Sequence, residues 1–224
     1  MNTVAIILAI VVVLLFYILY SFFLLKSTEL SSSADLNIEP PSIPIVNSPS
    51  STRYAYGIWI YVNSWNASAT DKIIFQRANN IVLALDNSSP ILKCNITMTG
   101  TTPSKSIILT DNFPLQKWVH IVISVDGQYV DGYLDGKLVK SGRMVTDAGG
   151  PKDPPGDDNM ELGGGWDANV SKFQHWSEPL NPQTVWDEYM KGNGQNRFSN
   201  YISSYGIDLS IFKDNIQQTT VSLW

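Results

Sequence analysis

Trp118-Val119-His120-Ile121-Val122-Ile123-Ser124-Val125-Asp126-Gly127-Gln128-Tyr129-Val130-Asp131-Gly132-Tyr133-Leu134-Asp135-Gly136-Lys137-Leu138-Val139-Lys140-Ser141-Gly142 holds three short apolar runs separated by Asp126-Gly127 and Asp135-Gly136. An Asp-Gly pair between apolar runs favours a tight hairpin, because both central residues of a type I′ turn need positive φ. Two such turns in succession predict an antiparallel meander. In the first run Val119, Ile121, Ile123 and Val125 alternate with His120, Val122 and Ser124. That is the period-two pattern of a strand with one buried face.

Working outward, the N-terminus reads differently. Val4 to Leu25 contains no charged residue, and as a helix it would span roughly 33 Å, the thickness of a bilayer core. Tyr17, Tyr20, Phe22 and Phe23 gather before Lys26 as interface anchors would. A cleavable signal peptide is the rival, but it wants a shorter apolar region behind a basic start. The expectation is a single-pass anchor over residues 1–26, with the lipid bilayer as partner of residues 4–25 and a membrane localisation. Its orientation stays open. Lys26 favours a cytosolic body, whereas the sequons at Asn66, Asn87, Asn95 and Asn169 have meaning only in a secretory lumen.

Residues 27–52 carry Pro40, Pro41, Pro44 and Pro49 among serines and read as a linker. From Arg53 onward short β-prone runs alternate with turn residues: 54–62, 72–76, 81–86, 91–98, 106–110, the meander over 117–143, then 160–162 and 170–176. This is the pattern of a sandwich. Asn181, Pro182 and Gly192 mark the cap, first turn and exit of one helix, with Val185, Trp186, Tyr189 and Met190 on one side to pack on the sheet. Residues 193–224 form a C-terminal extension whose β-prone stretch 207–224 can add a strand or reach a neighbour.

Cys94 is the only cysteine, so neither an intrachain disulfide nor a thiolate zinc site is available. It shares a face with Leu92, Ile96 and Met98 and is expected to be a buried small hydrophobe. The net charge of −5 with scattered Lys and Arg argues against nucleic acid as a partner.

Four segments in order resemble the laminin-G-like branch of the concanavalin A-like lectin/glucanase jelly rolls. Tyr56-Gly57-Ile58-Trp59-Ile60-Tyr61-Val62 looks like the opening strand with its Trp, and Trp118-Val119-His120 like the Trp-x-His strand. Tyr133-Leu134-Asp135-Gly136 looks like the Tyr-x-Asp-Gly hairpin, and Phe173 to Tyr189 like the closing strand and short helix. The resemblance implies an all-β, LamG-like jelly-roll sandwich over 53–192, two packed antiparallel sheets with a concave face. Gly132 departs from it, standing where an aliphatic residue would be usual, and suggests a bulge.

Candidate chemistry narrows quickly. Glycoside hydrolysis needs two carboxylates across the scissile bond, and the Glu-x-Asp-x-(x)-Glu strand of the superfamily's glucanases is absent. No enzyme activity is expected. No cofactor is implied beyond calcium, for which Asp153, Asp157, Asp158 and Asn159 offer hard oxygen ligands in one loop, although a solvated turn explains them as well. For sugar binding, Trp65 and Trp166 lie in Asn- and Gly-rich loops beside Asn66 and Asn169, whereas Trp59, Trp118 and Trp176 lie on predicted strands and read as core. His120 reads as a core or interface histidine. The leading expectation is a non-enzymatic, membrane-anchored interaction protein. The anchor–linker–sandwich order is similar to that of membrane-tethered minor capsid proteins of large icosahedral DNA viruses. That similarity implies protein partners in a larger assembly and a place at a virion's internal membrane and capsid. The alternative is an anchored lectin at a cell surface or secretory membrane, with glycans as partners.

Overall fold

A computed structural model describes residues 10–16, 27–44, 51–100, 104–156, 159–194, 208–213 and 216–222. Eleven of its strands are β1 Thr28–Asp35, β2 Arg53–Val62, β3 Lys72–Arg77, β4 Ile81–Leu85, β5 Leu92–Thr97, β6 Ser104–Thr110, β7 Trp118–Asp126, β8 Tyr129–Leu134, β9 Lys137–Arg143, β10 Met160–Leu162 and β11 Ala168–Trp176. They form two sheets, ordered β1-β11-β2-β7-β8-β9 and β10-β3-β4-β5-β6. All the pairings within these sheets are antiparallel.

The two sheets face each other through the parity written in the sequence. Tyr56, Ile58 and Ile60 of β2 and Val119, Ile121 and Ile123 of β7 point inward, as do Leu83 of β4, Cys94 and Ile96 of β5 and Ile107 of β6. Burial pushes the Cys94 thiol well above its ordinary range, in keeping with a core residue. The meander is present with one refinement. Asp135 and Gly136 both have positive φ, as a type I′ turn requires, but in the first turn only Gly127 does. Because Asp126 still pairs with Tyr129, the loop is Gly127-Gln128, and glycine at its first position is the habit of a type II′ turn. Gly132 sits at a register shift between β8 and β9. A Cβ there would meet Leu109 Cδ2 at 2.5 Å, so the missing side chain makes room for the facing sheet.

Two expectations need correction. Residues 28–35 are not linker: they form β1, which pairs with β11 along its length. Serine-rich polar composition hides an edge strand, which exposes one side to water. Leu36, just beyond, is fully buried, and Ile43 forms a bridge with Met160. The membrane localisation, whether at a virion, cell surface or secretory membrane, is overturned by the helices observed. Among the described residues, no helix is long and apolar enough to cross a membrane. Residues 10–16 are helical; the rest of the expected span, including its ends Val4 and Leu25, lies outside the described residues. In the extension, β12 Asp208–Lys213 and β13 Ile216–Ser222 pair with each other as a separate two-stranded sheet.

The helix Pro182–Met190 begins as the sequence predicts, with Asn181 Oδ1 accepting from the Thr184 backbone N–H at 2.9 Å. Gly192 follows its end with φ +71. It lies on the outer face of the six-stranded sheet and closes a second, smaller core of Ala55, Val122, Tyr133, Trp176, Leu180 and Val185. Only part of its apolar side is covered, since Trp186 and Met190 stay exposed.

Candidate functional site: an aromatic and polar groove

The outer face of the six-stranded sheet is covered at one end and open at the other. Register arranges it in cross-strand rows. Gln174, Gly57, Val122 and Tyr133 stand opposite one another on β11, β2, β7 and β8, and Val122 and Tyr133 lie in the helix-covered core. The next row is Ser33, Ser171, Trp59 and His120. Here Trp59 stacks on His120 at 4.9 Å and on Tyr189 of the helix at 5.6 Å. Beyond it comes Asp35, Asn169, Tyr61 and Trp118. At about 4.8 Å between strands this last row runs for roughly 14 Å. No helix covers it.

Ser33, Ala34, Asp35, Asn169, Val170, Ser171, Tyr61 and Trp118 line a groove of about 570 Å³. Tyr61 and Trp118 form its aromatic end, their rings 5.7 Å apart and tilted by 57°. The other end is polar. Asp35 Oδ1 accepts from the backbone N–H and side-chain amide of Asn37, both at 2.9 Å. The same Asn37 amide reaches Asp167 Oδ1 at 3.3 Å. Asp167 also accepts from Asn63 Nδ2 at 2.8 Å and Ser64 Oγ at 2.5 Å. The Ser64 and Asn63 bonds hold its carboxyl below the ordinary range, so it is ionised at neutral pH. Ser171 Oγ lies 2.6 Å from the Asn193 carbonyl and 3.1 Å from that of Ser32, tying the chain after the helix to the groove's floor.

Behind the groove, His120 is buried, and its Nδ1 has no hydrogen-bond partner among the described residues. Burial lowers it to about 4; Asp135 opposes that shift and Lys172 adds to it. Its backbone N–H donates to Asp135 Oδ1 at 3.0 Å, and Lys117 pairs with the other oxygen at 3.1 Å. The Asp of the Tyr-x-Asp-Gly turn therefore pins the Trp-x-His strand through its backbone, and the His120 ring itself lies buried against Trp59.

The expected site residues scatter. Trp166 is buried, and its Nε1–H donates to the Ile73 carbonyl at 2.9 Å, so a sugar cannot reach its face. Trp65 is half-buried against the core, with Lys72 Nζ 4.8 Å from its ring centre. Asn66 is exposed in the adjoining loop, and Asn87 and Asn95 are half-buried. Asn169 alone enters the groove. Of the calcium candidates, Asp153 and Asn159 are exposed, Asn159 donating to Ser42 Oγ at 3.0 Å. Asp157 and Asp158 lie outside the described residues, and the described ones contain no cluster of three His, Cys, Asp or Glu suited to a metal.

Trp118 and Tyr61 are what the sequence reading missed. Trp59 and Trp176 are indeed buried, but under the helix rather than inside the sandwich. Trp118 is only half-buried. The clue was present: alternation that buries Val119 and Ile121 turns Trp118 and His120 to the opposite face.

Comparison with known proteins agrees with this architecture. A family described as the concanavalin A-like lectin/glucanases superfamily, of laminin-G type, matches residues 37–186. The chain belongs to that superfamily. Solved structures sharing its fold include the receptor binding domain of a botulinum neurotoxin C/D mosaic serotype, with TM-score 0.59 and 16% identity. That alignment covers 75% of this chain and 45% of the other. The botulinum neurotoxin serotype D ligand binding domain, solved in complex with N-acetylneuraminic acid, has TM-score 0.57 and 16% identity, covering 76% and 45% respectively. This chain thus spans less than half the length of those domains. A search of curated proteins found no match.

Proposed function

We propose that this protein is a non-enzymatic recognition domain that binds carbohydrate in the open groove of its six-stranded sheet. The observation that carries the reading is the uncovered row Asp35–Asn169–Tyr61–Trp118, which sets an aromatic pair beside a carboxylate and an amide. Ring faces stack on the apolar face of a pyranose, and Asn and Asp side chains exchange hydrogen bonds with its hydroxyls. The carboxylates at the groove, Asp35 and Asp167, share one Asn37 amide on the same side, whereas glycosidic cleavage places its pair across the scissile bond. Screening the full chain on a glycan array, with Trp118→Ala alongside, tests the reading: binding should be specific and lost in the variant. Release of reducing sugar by the wild-type chain would overturn the non-enzymatic part.

A second reading, docking on a protein partner within a larger assembly, draws support from the edge strands of both sheets, which pair no further among the described residues. Leu138 and Val139 on β9 are 49% and 42% exposed, and Ile108 on β6 is 53% exposed. Exposed edges with apolar side chains invite strand addition. Val139→Lys should then abolish incorporation into the assembly while leaving glycan binding intact.

A further inference from the structure

The ionic character of the groove narrows its ligand. Asp35 is the only charged side chain among the described residues lining it. Asp167 adds a second carboxylate close by, since the Asn37 amide touches both, at 2.9 and 3.3 Å. Two cations on the neighbouring backbone are committed elsewhere: Lys117 to Asp135, and Lys172 Nζ to the Gly192 carbonyl at 2.8 Å. Anionic sugars are held by Arg or Lys forks and by clustered N–H donors. The described residues lining this groove offer neither.

We infer, on the basis of the carbohydrate reading above, that the groove selects uncharged glycans and rejects acidic ones, with Asp35 as the discriminating residue. One Asp35 oxygen is held by Asn37, which fixes the carboxylate as an acceptor for sugar hydroxyls. An anionic substituent brought to the same place meets its charge unscreened by any lining cation. The wall that supplies Asp35 is β1, residues 28–35, which lies ahead of the family match at residues 37–186. Selectivity would thus come from a strand outside the matched region.

The test is titration of the full-length protein, followed by tryptophan fluorescence, with a neutral oligosaccharide chosen from the array. Its counterpart is the same glycan bearing a terminal sialic acid. At low salt the neutral glycan should bind about tenfold tighter, and 0.5 M salt should shrink the gap to about twofold. Asp35→Asn should narrow the gap to a similar extent at low salt. That substitution keeps a side-chain oxygen for the Asn37 donors, and a thermal melt reports on folding. Equal or tighter binding of the sialylated glycan by the wild type would overturn the inference while leaving carbohydrate binding standing. A gap unchanged in a folded Asp35→Asn protein would remove Asp35 as its cause. Failure of both glycans to bind would overturn the carbohydrate reading and this inference together.

Discussion

Trp118 and Trp166 show how little a residue's type decides by itself. Both are tryptophans beside polar neighbours, yet one faces the groove and the other is a hydrogen-bonded part of the core. Trp118→Ala should weaken glycan binding at least tenfold, about 1.4 kcal/mol, with little change in the urea midpoint because the side chain is half-exposed. Trp166→Ala should do the reverse, destabilising by about 3–5 kcal/mol. Gly57 is constrained differently. A Cβ there would meet Trp176 Cζ3 at 2.9 Å and Val122 Cγ2 at 3.4 Å. Gly57→Val should therefore cost about 1–3 kcal/mol by overpacking the small core beneath the helix, read as a lower urea midpoint at unchanged slope.

At the scale of elements, β5 was legible because one-sided burial leaves a period-two trace, whereas β2 and β7, buried on both faces, were legible as β-prone apolar runs bounded by turn residues. The helix was legible through its caps. Asn181→Ala should destabilise by about 1 kcal/mol through loss of the bond to Thr184 N–H, and the melting temperature is the measurement. The helix face was less legible. Trp186 and Met190 sit at the right spacing yet remain exposed, because the sheet beneath offers only the small patch around Val185. Strand β1 was hidden for the opposite reason. An edge strand with few buried side chains has almost no apolar periodicity to detect, so Ser33 and Asp35 of the groove were read as linker.

Over the whole molecule, buried histidines couple the fold to pH. His120 is 2% and His175 3% exposed, and burial lowers each to about 4 from an ordinary 6.5, with Lys172 assisting at His120 and Arg77 at His175. The unfolded chain therefore binds more protons than the fold between those values. Stability is complete above about pH 6.5 and declines as the pH falls toward 4, by up to about 3 kcal/mol for each histidine. Urea midpoints measured from pH 7 to pH 4 should fall across that window. Replacing both histidines with Phe should flatten the profile; a slope unchanged in the double variant would assign it to other groups.

The order of amino acids by itself determined the sandwich. Alternation, the Asp-Gly turn at residues 135–136 and the Asn181 cap are local rules, and the resemblance to laminin-G-like motifs adds the expectation of two packed sheets. The site was decided elsewhere. Asp35, Asn169, Tyr61 and Trp118 are spread over 135 positions of the sequence and become one row only because four strands pair in a particular register. Which part of that outer face stays open depends on where one helix comes to rest. Pairing register and helix docking are set by contacts between distant segments, and no local pattern of residues carries that information.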